Sequence, residues 1–292
     1  MLYYYAYSGH KVGLDRVKRA AALLKKLEAD GIKSRLLVND FRAGLCAREF
    51  GISDSVTIET VQDIDAIASI GDIVIIDSPE DNRGRLQKYC SEYKVVFRFA
   101  QHEQDRVCYD EIIIKTSCED ESCVNAVIVD DTYFEETNKK ERILFFLNDA
   151  DYDKTILNNE VFFKIFDMEL LLGNYFFVKY EDDLAKLFSV LHEPEEYMDL
   201  VKGSSRIVTA SAQTALEAKA SGAKVIYIYL GDDDLYPVAL LKTYGIAVVN
   251  GFDAERVAEY LKEATQISQK TIEHFDVNKI KAMLQNSGYN VI

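Results

Sequence analysis

The chain has 292 residues, 48% of them hydrophobic, and a formal net charge of −15 from 34 basic and 49 acidic residues. This length is enough for two domains of ordinary size, and the acidic balance makes general binding to a nucleic-acid backbone unfavourable. The sequence has neither a signal-peptide pattern nor an apolar run long enough to span a membrane, so we expect a cytoplasmic protein.

Cysteine usage favours the same compartment. The five cysteines form an odd set without a Cys-x-x-Cys pair: Cys46, Cys90, Cys108, Cys118 and Cys123. We therefore expect reduced thiols. The four histidines are scattered, and no His pair accompanies Cys118 and Cys123, which argues against a zinc site. We expect no metal and no cofactor.

Apolar runs alternate with helical patterns through the first half of the chain. Strands are predicted at residues 2–7, 34–38, 73–76, 95–99, 111–114 and 126–129. Helices are predicted between them at 16–30, 41–50, 61–69 and 84–93. Runs that are apolar at every position, such as 73–76, are typical of parallel strands covered on both faces.

The loop after the first predicted strand leads into the first predicted helix, and together residues 8–19 cover this loop and the first turn of that helix. Glycines and a helix N-terminus come together here, and the free backbone N–H groups of such a corner favour an anion. Turn geometry alone also explains the glycines. The residues of interest in this loop are Gly9, His10, Gly13, Asp15, Arg16 and Arg19.

A polar, charged stretch at residues 135–142 is interpreted as a connector, after which the pattern starts again. Strands are predicted at 143–147, 169–172, 187–191, 206–209, 224–230 and 246–249, and helices at 214–221, 235–244 and 254–265. We predict an α/β fold of two doubly wound Rossmann-like domains, 1–138 and 139–292, facing each other across a cleft. The final helix, 277–285, is a candidate to pack back on the first domain.

The segment 207–222 is another strand, small-residue turn and helix. Ser211 and Thr214 supply hydroxyls at the helix N-terminus, where a diphosphate could bind. Glu217, three residues after Thr214, could accept both hydroxyls of a ribose. A plainer interpretation also fits, since Thr214 and Glu217 match a Thr-x-x-Glu capping box. The acidic run 232–234 fits a solvated loop.

The order and spacing of these motifs resemble the GT-B-type nucleotide-sugar proteins, most closely the UDP-sugar hydrolases of pseudaminic acid biosynthesis. The family's first loop, Gly-x-Gly-His-x-x-Arg, is matched by residues 13–19, with Gly13 and Arg19 kept. Asp15 replaces the second glycine, and Arg16 stands where the family has its catalytic histidine. The resemblance extends roughly from Tyr5 to Phe252.

Three further motifs carry the resemblance. The family's Ile-Asp-His/Ser turn is matched at residues 76–78, which places Asp77 in it. The Gly-Gly turn that opens the second domain is replaced by Asn148-Asp149. The donor-site pattern is matched by Ser211, Thr214 and Glu217, and the polar pair that follows it is Asp234-Leu235.

The resemblance implies that UDP or a UDP-sugar binds in the cleft. The residues that it assigns to binding are Gly13, Arg16, Arg19, Asn148, Ser211, Thr214, Glu217 and Asp234. Arginine stays protonated near neutrality, so Arg16 cannot act as a general base, although it could hold a phosphate. Asp15, Asp77 and His10 are then the candidate bases.

Two functions of different classes remain open. The first is a nucleotide-sugar-processing protein of surface-glycan or flagellin-glycan biosynthesis, acting as a hydrolase or a glycosyltransferase. The second is a catalytically inactive homologue that serves as a binding, regulatory or scaffold module with a protein partner. Loss of the histidine and of two glycines favours the second.

Overall fold

The computed structural model describes residues 1–118, 123–231, 235–263, 268 and 270–288, which divide into two compact units. The first unit comprises Met1–Gly9, Arg16–Ile128 and the described residues from Phe275 onward. The second comprises His10–Asp15 and Val129–His274. The chain thus passes from the first unit to the second between residues 128 and 129, before the predicted domain boundary at 138 and 139.

The strands of the first unit form one parallel sheet. They are β1 (Leu2–Ala6), β2 (Ser34–Val38), β3 (Ser55–Thr57), β4 (Ile73–Asp77), β5 (Val95–Phe99), β6 (Ile112–Lys115) and β7 (Cys123–Asn125). Their order across the sheet is β3-β2-β1-β4-β5-β6-β7. Every residue of β1 and β4 is buried, as the apolar runs at 2–6 and 73–76 predict, and Asp77 at the end of β4 is buried as well.

In the described part of the chain, helices that connect these strands are α1 (Asp15–Ala29), α2 (Phe41–Cys46) and α3 (Arg85–Glu92). Asp15 lies in the first turn of α1 and Lys26 in the last, which suits the helix dipole. The helix predicted at 61–69 is a 3₁₀ turn, Val61–Ala66, with Thr60 and Asp63 in a capping box.

The strand predicted at 126–129 is wrong. The last strand of the sheet, β7, ends at Asn125, and the four residues after it are buried without being part of a strand. An apolar run indicates that residues are buried, but buried residues need not belong to a β-strand.

The second unit contains a second parallel sheet. Its strands are β8 (Lys140–Phe146), β9 (Glu169–Leu171), β10 (Leu191–His192), β11 (Ser204–Thr209), β12 (Lys224–Tyr229) and β13 (Ala247–Asn250). Their order is β10-β9-β8-β11-β12-β13. The charged stretch at 140–142, expected to be part of a connector, is the start of β8. Of the strand predicted at 187–191, only residue 191 lies in one.

Helices cover this sheet: α4 (Thr155–Asn158), α5 (Glu160–Phe163), α6 (Val178–Leu184), α7 (Tyr197–Gly203), α8 (Ala212–Ala220), α9 (Val238–Thr243) and α10 (Ala254–Lys262). Phenylalanines form much of the core between them, with Phe145, Phe163 and Phe188 in mutual ring contact. The prediction that helix 254–265 reaches Thr265 lies outside the described residues. The last helix, α11 (Asn278–Asn286), groups with the first unit.

Candidate functional site

Three of the predicted site residues lie at the end of β11 and the start of α8. Ser211 directly precedes α8, and its hydroxyl accepts a hydrogen bond from the backbone N–H of Thr214 at 3.0 Å. Ser211 is therefore the N-cap, and the interpretation of Thr214 and Glu217 as a capping box is wrong. Since α8 begins at Ala212, Glu217 lies in its second turn, and all three side chains are buried.

The carboxylate of Glu217 accepts hydrogen bonds from neutral groups. Tyr197 Oη donates to it at 2.6 Å and Gln213 Nε2 at 2.9 Å. The same phenol oxygen of Tyr197 lies 2.7 Å from Thr214 Oγ1, so one hydroxyl bridges Thr214 and Glu217. Tyr236 Oη donates to Gln213 Oε1 at 2.9 Å and orients that amide. The result is a buried hydrogen-bond network around Glu217.

Two tyrosine phenols in this network stay protonated. Burial raises the pKa of Tyr133 and of Tyr197 well above the ordinary phenol range, and the charge of Glu217 raises both further. Tyr133 lies in the 3₁₀ turn Asp131–Phe134 and also hydrogen-bonds Glu217. Both phenols therefore act as hydrogen-bond donors to the carboxylate at neutral pH.

Asp15 joins the same network through Ser211. The Ser211 hydroxyl lies 2.8 Å from each carboxylate oxygen of Asp15, and 2.7 Å from Thr214 Oγ1. Asp15 belongs to the second unit with the rest of segment His10–Asp15, and it is buried. The structure thus brings together Asp15, Ser211, Thr214 and Glu217.

Asn148 packs tightly between two glycines. A Cβ added at Gly13, whose φ is +76°, would lie 2.1 Å from Asn148 Oδ1. A Cβ added at Gly173 would lie 2.6 Å from the backbone oxygen of Asn148 and 2.5 Å from that of Asp149. The Asn148 side chain also accepts from the N–H of Asp149 at 2.6 Å. Gly13 and Asn148, both predicted to bind ligand, therefore hold each other in place by close packing.

The remaining loop residues form a separate cluster in the first unit. Arg19 makes a bidentate ion pair with Asp77: Nε lies 3.0 Å from Oδ2, and Nη2 lies 2.6 Å from Oδ1. Arg16 Nε lies 3.4 Å from Asp77 Oδ1, and Tyr4 Oη donates to Asp77 at 2.9 Å. The guanidinium of Arg19 also lies 3.9 Å from the ring centre of Phe99. A fully buried carboxylate so paired has the contacts of a structural ion pair, which do not favour a general base.

His10 is not part of either cluster as described. His10 is exposed, and its ring centre is 5.7 Å from that of Tyr152. Asp234 lies outside the described residues.

Sequence reasoning missed the partners of Glu217. Tyr133 and Tyr197 lie on other elements and carry no motif, so no signal in the chain marks them. Gln213 precedes Glu217 by one helical turn, and this i, i+4 spacing does predict contact on α8.

Cys118 and Cys123 form a disulfide, so the expectation of reduced thiols is wrong for this pair. Disulfides are typical of oxidising compartments, and the cytoplasmic location stays a prediction. Within the described residues, no group of three or more His, Cys, Asp or Glu side chains is placed to hold a metal ion. The helices of the same part of the chain include none that is long and apolar enough to cross a membrane.

No family model and no curated protein matches the chain. Solved structures do match it over nearly its whole length. The S. aureus MnaA–UDP co-structure has a TM-score of 0.63 at 14% identity, covering 100% of this chain and 98% of that one.

Two further structures show the same likeness. The Methanocaldococcus jannaschii UDP-GlcNAc 2-epimerase in complex with UDP-GlcNAc and UDP has a TM-score of 0.57 at 12% identity, covering 99% of this chain and 100% of that one. The spinosyn rhamnosyltransferase SpnG, complexed with spinosyn aglycone, has a TM-score of 0.55 at 10% identity, with coverages of 99% and 95%. The predicted fold class is confirmed: this chain is similar to these proteins in its two-domain, Rossmann-like α/β fold of the GT-B type.

Proposed function

We propose that this chain binds a uridine nucleotide or UDP-sugar at α8 of the second unit, as a member of a surface-glycan or flagellin-glycan pathway. The observation that carries the proposal is the placement of Ser211 at the N-cap of α8, and of Thr214 and Glu217 on its first two turns, directly after β11. Ligands of parallel α/β sheets bind beyond the carboxyl ends of strands. Two of the structures with the same fold are complexes, one with UDP and one with UDP-GlcNAc and UDP.

The residues suit the chemical groups of such a ligand. A helix N-terminus stabilises the negative charge of a diphosphate, and a carboxylate accepts hydrogen bonds from sugar hydroxyls. In this proposal Ser211 and the N-terminus of α8 face the diphosphate, while Thr214 and Glu217 face the ribose. Hydrolysis of a UDP-sugar, the reaction of the hydrolases that the sequence resembles, is not part of the proposal. Arg16 cannot replace a histidine base, and its Nε lies 3.4 Å from the carboxylate of Asp77.

The test is calorimetric titration with UDP, with UMP, ADP and CDP as competitors for selectivity. We expect saturable UDP binding that weakens at least about tenfold, or roughly 1.4 kcal/mol, in Glu217→Gln. That variant keeps the side-chain shape, and circular dichroism checks its fold. Glu255→Gln, an exposed change in the same unit, is the matched control. Absence of binding to every nucleotide, or binding indifferent to Glu217→Gln, would contradict the proposal.

A second function is favoured by one specific observation. The carboxylate of Glu217 already accepts from Tyr197 and Gln213 and is buried, which suits a protein whose nucleotide site has become structural. Such a protein would act as a regulatory or scaffold module. Turnover separates the possibilities: release of UDP from a UDP-N-acetyl sugar, alone or with cell-envelope extract as acceptor, identifies a hydrolase or transferase and rules out the silent module.

A further inference from the structure

The Asp15 carboxylate lies against the N-cap hydroxyl of α8. Both of its oxygens are 2.8 Å from Ser211 Oγ, and the residue is only 9% exposed. Ser211 is thus in contact with an anion that the chain itself supplies. A serine hydroxyl carries a single proton, so it cannot donate to Asp15 and to a ligand phosphate at the same time.

The second turn of α8 shows a related arrangement with a neutral group. Tyr197 Oη lies 2.7 Å from Thr214 Oγ1 and 2.6 Å from Glu217 Oε2, which places a hydroxyl between the two side chains that the proposed function assigns to the ribose. The chain therefore presents an anion to Ser211 and a hydroxyl to Thr214 and Glu217. These are the two kinds of group that a nucleotide would present to the same residues.

We infer that Asp15 occupies the place of a ligand phosphate and sets the affinity and charge preference of the site. The inference rests on the proposed function. Two unit charges a few ångströms apart repel strongly even in a partly hydrated site. A diphosphate must therefore displace Asp15 from Ser211, and the affinity of the native chain for anionic ligands is lowered by that competition.

The experiment compares UDP affinity in the full-length chain and in two variants. Asp15→Asn keeps the size and an acceptor oxygen but removes the charge, whereas Asp15→Gly removes the side chain. Asp182→Asn, an exposed change that alters the net charge equally, is the matched control. Asp15 is in the first turn of α1, so circular dichroism and thermal unfolding must first show that the variants are folded.

We expect both Asp15 variants to bind UDP at least about tenfold tighter than the native chain, and the control to match the native chain. Uridine, which has no phosphate, should show no gain, because only the anionic part of the ligand competes with Asp15. Native binding of UDP that is unchanged or weakened in folded Asp15→Asn and Asp15→Gly would overturn the inference and leave the proposed function standing. Failure of the native chain and of both folded variants to bind UDP would overturn both.

Discussion

Each unit buries a carboxylate, but the two units hold it in different ways. In the first unit, Asp77 forms an ion pair with Arg19 and lies close to Arg16, so the negative charge of the carboxylate is balanced by positive charges. In the second, Glu217 accepts from the phenol of Tyr197 and the amide of Gln213. A ligand hydroxyl can replace a phenol hydroxyl with little electrostatic change, whereas separating a buried ion pair leaves a charge without its partner. The comparison thus favours the second unit as the place where a ligand binds.

Two partly buried cations differ in the same way, while Arg142 and Glu169 of the second unit form an ion pair at 2.9 Å. In the first unit, Arg98 Nη2 contacts Glu111 Oε1 at 3.0 Å, which gives a cation an anionic partner. In the second, Lys139 Nζ donates to the backbone oxygen of Lys202 at 2.5 Å and to Ser221 Oγ at 3.0 Å, which are neutral groups. The contrast therefore applies to the surroundings of Asp77 and Glu217, where removal of one charge should disturb the first and removal of one hydroxyl should disturb the second.

The largest effect is expected from Asp77→Asn. The change leaves the guanidinium of Arg19 buried without its carboxylate, and breaking a buried pair in this way costs about 3–5 kcal/mol of unfolding free energy. Urea unfolding measures the loss, and hydrogen exchange read by mass spectrometry shows whether it falls on peptides of the first unit. Asp54→Asn, which breaks the exposed pair with Arg35, is the control and should lose about 1 kcal/mol or less. Equal losses in the two variants would remove the contrast.

A smaller effect is expected from Tyr197→Phe. The change removes the hydroxyl that bridges Thr214 and Glu217, and leaving buried acceptors short of a donor costs about 1–3 kcal/mol. Exchange should increase on peptides of α7 and α8. Tyr93→Phe is the matched control, because the Tyr93 hydroxyl is buried and has no hydrogen-bond partner among the described residues. That variant should be as stable as the native chain or slightly more so, and a similar loss in both would argue against the bridge.

The fold could be predicted from the sequence because the parallel strands are buried on both faces and therefore appear as short apolar runs. Residues 34–38 and 95–99 form strands with the predicted bounds. The run at 126–129 was wrongly predicted as a strand for the same reason, since its residues are buried without being part of a strand. The short strand β3 was not predicted, because its sequence Ser-Val-Thr contains a single apolar residue. Its three residues, Ser55–Thr57, are partly buried or exposed.

The candidate site was predictable only in part. Ser211, Thr214 and Glu217 follow one strand at helical spacing, so a local pattern marks them. The contact of Asp15 with Ser211 joins residues 196 positions apart, and no local pattern reports it. The resemblance assigned Asp15, Arg16 and Arg19 to the same nucleotide-sugar site, but Arg16 and Arg19 contact Asp77 while Asp15 contacts Ser211. Adjacent positions at the start of a helix point to different sides, and sequence proximity does not show which side faces which partner.

A pH-dependent effect is expected from Lys139, the partly buried cation of the second unit that hydrogen-bonds neutral groups. Burial lowers its pKa to about 8, and the nearby charge of Lys202 adds to this. The pKa of a lysine in an unfolded chain is about 10.4, so between about pH 8 and 10 the unfolded state binds more protons than the folded one. The unfolding free energy of the native chain should therefore rise with pH across this window relative to Lys139→Met.

The readout for Lys139 is the difference in urea midpoint between the native chain and the variant at pH 7, 8, 9 and 10. Taking the difference cancels the alkaline titration of groups common to both proteins. Lys140→Gln removes an exposed neighbouring charge and should give a difference that does not change with pH. A flat difference for Lys139→Met as well would mean that this lysine is as well solvated as its neighbour. The contrast between charge pairing in the first unit and neutral partners in the second would then rest on Asp77 and Glu217 alone.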